Sequence, residues 1–301
     1  MVVCRLARAV SRRQVVPVAV DVNGDDPLLT DHGTGDTLAA VAHTKPWSDP
    51  ELYDLGFSFD TAEESAFFSQ LFRRHRQAKL DSLLDLACGA GRFLLVFGKA
   101  GLHCVGVDNS PVMLDYCRRR LDDEDLEIDL LCADLAGYTL EQPCDVALCG
   151  RDSINYLIED WALERHLEAT AAALTSGGLY VIDTSLFPPG QYQGQRTWSW
   201  TEPTPQGRVR ARYRIARPPT AADRVYVETL DIRLEPPDGA PERRYVQRSN
   251  KRAFAAGELE AVVQASGCFE IAGRYADLSL KATFERQAFP DRLILVLRKR
   301  G

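Results

Sequence analysis

The sequence predicts an α/β protein, a doubly wound and mostly parallel sheet with helices on both faces, interrupted late by an antiparallel β insertion. Three observations carry this. Short apolar runs alternate with helix-period segments between Ser82 and Ile182, and such alternation means a parallel sheet covered on both sides. The rhythm stops at Phe187–Gly207, which is rich in Pro, Gly, Gln and Trp, and longer period-2 segments follow. The tail then returns to a helix and two strands.

Taken in order, Met1–Val20 carries Arg5, Arg8, Arg12 and Arg13 with no acid before Asp21, a superficial likeness to a transit peptide. Its apolar residues form no sustained stripe, Pro17 breaks the run, and Val22–Pro46 has loop chemistry. Residues 1–47 therefore predict a poorly ordered extension. Structure begins near Pro50. Thr61 and Glu64 read as a capping box, with Ala66, Phe68, Leu71, Phe72 and His75 at helical spacing behind it. Ser82–Ala87 is a strand and Arg92–Ala100 a helix; His103–Val107 is the next strand, and Ser110-Pro111 opens the next helix. Glu127–Cys132, Asp145–Cys149 and Leu179–Ile182 are further strands, with a helix over Trp161–Leu174 closed by Gly177-Gly178. Arg208–Ala216, Arg224–Leu234 and Arg243–Lys251 read as antiparallel strands. Ala255–Ser266 is a helix, and Phe269–Tyr275 and Arg292–Arg298 permit an antiparallel edge pair. The division is a core of 48–186 with 253–301 and an insertion of 187–252.

Composition narrows the function. The 301 residues are 45% hydrophobic and 26% charged, enough for a sizeable core. A formal charge of −7 argues against nucleic acid, whose binding depends on neutralising phosphates with Lys and Arg. No apolar run is long enough to span a bilayer, so no membrane partner is expected. Eight scattered cysteines with no C-x-x-C pair read as small buried hydrophobes in a reducing, cytoplasmic setting. No His lies at metal-ligand spacing, so no metal is expected.

The informative stretch is Leu83–Phe93, a strand running through Asp85 and Ala87 into Gly89-Ala90-Gly91 and a helix. Backbone comes close to a ligand at such a turn. The third glycine of a dinucleotide fingerprint is absent, and Asp85 would oppose a pyrophosphate while suiting a ligand with ammonium and sulfonium charges. Asp108 ends the next strand, at ribose-reading distance from Gly89, and Asp134 follows the third. Three acids at consecutive strand ends make a pocket.

These residues resemble the class I S-adenosylmethionine-dependent methyltransferases, over roughly Leu80–Thr184 and Ala255–Arg300. Asp85–Gly91, then Asp108, Asn109, Ser110 and Met113, and then Ala133-Asp134 are similar to that family's first, second and third cofactor motifs. The family usually has Gly where Ala87 stands. The resemblance implies a seven-stranded sheet with its last strand antiparallel, and S-adenosylmethionine as cofactor. It places the Gly89–Gly91 loop against the methionine part, Asp108 on the ribose, Asp134 on the adenine amino group, and Met113 and Leu135 against the ring. Tyr53-Asp54 is similar to the leading helix of small-molecule members. Cys149–Leu157 then becomes the loop facing the methyl group, with Asp152, Asn155 and Tyr156 as candidates for catalysis and an N or O atom of a small molecule as acceptor.

The insertion supplies candidate acceptor contacts: Tyr192 and Trp198, which a homodimer contact would also explain, and Arg210 and Arg212. Arg208, Arg210, Arg212 and Arg214 share one face, which either reads an anion or is solvated and paired with Glu228, Asp231 and Glu235. None of the five histidines is placed as a general base, and a neutral amine needs none, because alignment supplies much of the barrier reduction. Two rival readings remain at this stage: a nicotinamide-dependent oxidoreductase, and a binding protein without turnover.

Overall fold

The computed structural model describes residues 47–76, 78–186, 195–216, 224–255, 257–281 and 292–301. Helices α1 (Pro50–Phe57) and α2 (Thr61–His75) lead into β1 (Ser82–Leu86), α3 (Arg92–Lys99), β2 (His103–Asp108) and α4 (Pro111–Asp122). Then come β3 (Asp129–Cys132), β4 (Cys144–Cys149), a 3-10 turn over Ser153–Tyr156, α5 (Asp160–Ala172) and β5 (Leu174–Ser185). The insertion is β6 (Gln195–Thr204), β7 (Gly207–Ala216), β8 (Val225–Glu235) and β9 (Arg243–Arg252); α6 (Glu258–Ser266), β10 (Phe269–Tyr275) and β11 (Arg292–Lys299) complete the chain.

The central sheet has the order β10-β11-β5-β4-β1-β2-β3, with β11 antiparallel to both neighbours and the rest parallel. This is the seven-stranded sheet that the resemblance implied. Both faces are covered, which is why β1 and β4 read as continuous apolar runs. One apolar layer packs β5 and β11 against α5 and α6, the other packs α2, α3 and α4 on the opposite face.

The insertion is a four-stranded antiparallel sheet, β6-β7-β8-β9. The sequence reading begins the antiparallel strands at Arg208, whereas β6 already pairs with β7 from Gln195 to Thr204. Its Pro203 sits near the end of an edge strand, where a missing N–H costs least. Two further corrections concern local signals. Gly177-Gly178 do not close α5; they lie inside β5, where the register against β4 shifts. The Thr61–Glu64 box does not form, since no side chain caps α2. Glu64 is instead 2% exposed and collects the guanidinium groups of Arg92 (2.5 Å), Arg151 (3.3 Å) and Arg292 (3.2 Å). Burying that carboxylate requires paired charge, and three basic neighbours outbid a terminal N–H.

Helix α1 holds the two sheets together. Leu52 packs on Val209, Ile232 and Tyr245, and Trp200 donates its indole N–H to Gly56 O at 2.9 Å. On its other side Asp54 pairs with Arg120 of α4 at 3.1 Å. A second weld lies where the insertion rejoins the core: fully buried Arg252 reaches Asp160 at 2.7 Å and Glu258 at 2.8 Å, at the starts of α5 and α6.

Candidate active site

A cavity of about 740 Å³ lies between the carboxyl ends of the core strands and the inner face of the inserted sheet. Ligands of open α/β sheets bind at this edge. The core side of the lining holds Ala87, Gly89, Asp108, Asn109, Met113, Asp134 and Leu135. The turn after β1 is tight. Gly91 has φ +76° and starts α3, and Gly89 has φ +53°. Ala87 adopts φ +56°, a left-handed conformation that glycine takes without cost.

Asp108 turns back onto this loop, accepting from Gly89 N and Ser110 N at 2.9 Å each. Burial raises its pKa, with hydrogen bonds from the backbone N–H groups of Ser110, Gly89 and Asn109 opposing. Asp134 is exposed, lines the cavity and accepts from Ala136 N through Oδ1 at 2.8 Å. Asp85 lines a smaller space of about 60 Å³ beside the main one, together with Tyr53 and Arg92. Its Oδ2 is buried with no hydrogen-bond partner, and burial pushes its pKa up to about 7, partly offset by Arg92. An unpartnered buried carboxylate oxygen is costly and invites a cationic donor.

From α1 the cavity receives Tyr53 and Phe57, stacked at 4.8 Å. Trp47, on the extension side of the expected boundary, also lines it and packs edge-on to Tyr53 and Tyr156. The loop after β4 contributes Arg151, Asp152 and Tyr156. Asp152 has φ +58° and accepts from Ser185 N (2.5 Å) and Ser185 Oγ (3.1 Å); burial raises its pKa, with Lys251 opposing.

The inserted sheet presents one face, set by its register. Trp198, Tyr213, Leu230 and Gln247 form one cross-strand row, and Arg196, Ile215, Glu228 and Ser249 the next. All eight line the cavity.

Several expected contacts are corrected. Asn155 is fully buried and outside the lining; its Nδ2 donates to Arg252 O (2.8 Å) and its Oδ1 accepts from Thr184 Oγ1 (2.7 Å), so it joins β9 to β5. Cys149 lies fully buried in the core, its thiol pushed up to about 12 by burial. Arg210 and Arg212 point away from the cavity and are exposed, Arg210 pairing with Glu235 at 2.9 Å. Glu228 belongs to the opposite, cavity-facing side, because it differs from Asp231 by an odd number of residues. Tyr192 lies outside the described residues. Cavity residues that sequence reasoning did not assign to the site include Trp47, Phe57, Tyr213 and Lys251, and Glu228 was assigned to the wrong face. Strand parity held the signal for Tyr213, which alternates with the arginines of β7.

No group of three or more His, Cys, Asp or Glu suited to a metal occurs among the described residues. Residues 83–178 match a family model described as a methyltransferase domain. A relative from Streptomyces fradiae, a dTDP-3-amino-3,6-dideoxy-alpha-D-glucopyranose N,N-dimethyltransferase, is 33% identical over 141 residues, 46% of this chain and 53% of that one. The chain thus spans about half the length of the curated relatives it matches. Among solved structures, DesVI of Streptomyces venezuelae superposes with a TM-score of 0.69 at 20% identity, covering 86% of this chain and 100% of that one. An amino pentose methyltransferase from Micromonospora echinaspora, solved with S-adenosylmethionine bound, gives 0.63 at 21% identity, covering 83% and 95%. Residues 83–178 thus match a methyltransferase domain, and the solved neighbours share the fold of the chain.

Proposed function

We propose that the protein transfers a methyl group from S-adenosylmethionine to an amine nitrogen of a small, polar, sugar-like acceptor. One observation carries this reading: strand-end acids and a glycine turn form one side of a single cavity whose other side is an aromatic and polar sheet face. Such a space holds two small molecules end to end. The relatives named as amino-sugar N,N-dimethyltransferases support the acceptor class.

The residues fit the cofactor. The orphaned Oδ2 of Asp85 suits an ammonium group, and Asp108 keeps a lone pair for a ribose hydroxyl beyond its backbone contacts. Met113 and Leu135 are apolar walls for a ring, with Asp134 beside them. When bound, S-adenosylmethionine supplies a methyl group on a positively charged sulfur. What the chain must add is alignment, exclusion of water and a neutral nitrogen lone pair. Tyr53, Phe57 and Trp198 shield the cavity. Asp152, held above the usual carboxylate range, is placed to take a proton from the arriving ammonium. We place the reaction in the cytoplasm, in keeping with seven free thiols among the described residues.

Calorimetry tests the reading. S-adenosylhomocysteine should bind and NAD should not. Asp108→Ala should weaken that binding by ~1–3 kcal/mol, the cost of unmatched buried polar groups. NAD binding with no response to S-adenosylhomocysteine would refute it.

A further inference from the structure

The inserted sheet carries an ion pair that methyl transfer as described above leaves unused. Glu228 of β8 and Lys251 of β9 are 2% and 4% exposed, line the cavity, and meet Oε2 to Nζ at 2.6 Å. Taking both charges out of water is expensive, and an apolar pair would join two strands at least as well. Ile215 and Leu230, neighbours on the same face, show that apolar side chains are accommodated there.

The pair stands beside the loop after β4. Tyr156, on the loop after β4, donates its hydroxyl to Glu228 Oε1 at 3.3 Å, and the Lys251 ammonium lies 4.5 Å from the centre of its ring. The charge of Lys251 is felt at Tyr53 and at Asp152. An ammonium has three N–H donors, and a carboxylate about four lone-pair sites. The mutual contact uses one of each, and the hydroxyls of Tyr156 and Tyr213 take two more carboxylate sites, so the pair still offers one hydrogen-bond acceptor beside a donor.

We propose that Glu228 and Lys251 read an acceptor whose amine and a hydroxyl sit on adjacent carbons. The carboxylate of Glu228 takes an amine N–H, and Lys251 donates to the neighbouring hydroxyl oxygen. Held by both, the nitrogen keeps its lone pair for the methyl group, and an amine without the adjacent hydroxyl is bound by one contact rather than two. The pair sets specificity, and this rests on the methyltransferase reading.

The test compares two probes with the full chain: methyl 3-amino-3-deoxy-α-D-glucopyranoside, which has a hydroxyl on each carbon beside the amine, and its 2,4-dideoxy analogue, which has none. The wild type should favour the first by about 10- to 100-fold in kcat/KM, the discrimination of one hydrogen bond to a charged group. Lys251→Met should bring the ratio to within about twofold. Because it strands a buried carboxylate, the charge-balanced double variant Glu228→Gln, Lys251→Met is assayed beside it, with folding checked by thermal melting. A preference surviving in the folded double variant overturns the proposal. So does a wild type that binds S-adenosylhomocysteine yet methylates both probes alike, or neither; the cofactor reading then stands. A wild type that binds no S-adenosylhomocysteine and methylates neither probe removes that reading and this inference together.

Discussion

Replacing Gly91 by alanine tests how tightly the cofactor turn is built. A Cβ at this position would stand 2.3 Å from Cys117 Sγ, far inside contact distance, and the backbone there has φ +76°. Two costs follow. A left-handed L residue loses roughly 1–2 kcal/mol, and forcing atoms into a packed site loses roughly 1–3 kcal/mol. Gly91→Ala should therefore destabilise the fold by ~2–5 kcal/mol, read by urea unfolding with linear extrapolation. Cys117→Ala in the same chain removes the clash and leaves the backbone strain. A double-mutant cycle should then show a favourable coupling of ~1–3 kcal/mol between the two sites. Gly91 also accepts from Leu95 N at 3.0 Å as α3 begins, so the shift is passed to the helix. S-adenosylhomocysteine affinity should fall at least about tenfold, or roughly 1.4 kcal/mol. A single variant that loses less than about 1 kcal/mol, or a cycle without coupling, refutes the steric account.

Three other outcomes are expected. Ala87→Gly should stabilise the protein by up to about 1 kcal/mol, because relief of the φ +56° conformation exceeds the added freedom of the unfolded chain; a loss of stability on thermal or urea unfolding would contradict this. Burial holds His166, fully buried on α5, at a pKa of about 4, below the usual 6.5, so between these values the unfolded chain binds the extra proton. Stability is then lost as pH falls from about 6.5 toward 4, by ~3 kcal/mol in all, and His166→Gln should flatten that slope in urea titrations. Trp198→Ala should raise the acceptor KM about tenfold by removing an apolar wall while leaving S-adenosylhomocysteine binding unchanged, whereas Arg210→Ala and Arg212→Ala, on the outer face, should leave both untouched.

What the sequence determined by itself was whatever depends on neighbours along the chain. Alternating strand and helix periods specify a parallel sheet, and the turn after Asp85 with acids at 108 and 134 marks its ligand edge. Each of these signals is local: a glycine needing an unusual φ, or an acid at the end of a strand. Alternation along β7 likewise put its four arginines on one face. Which face looked inward was decided only in three dimensions, because α1 packs on Val209 and Ala211 and turns Arg208, Arg210 and Arg212 to solvent. The same holds for Glu64, legible as a capping residue but held by three arginines from α3, the β4 loop and β11. Asn155 looked catalytic by its place after β4, yet its amide is spent on Arg252 and Thr184. Glu228 and Lys251, 23 residues apart, meet only through the β8–β9 register, which pairs Glu228 with Ser249 and Tyr226 with Lys251. A buried charge is tolerated where its partner arrives from another strand, and that arrival is a property of the tertiary fold.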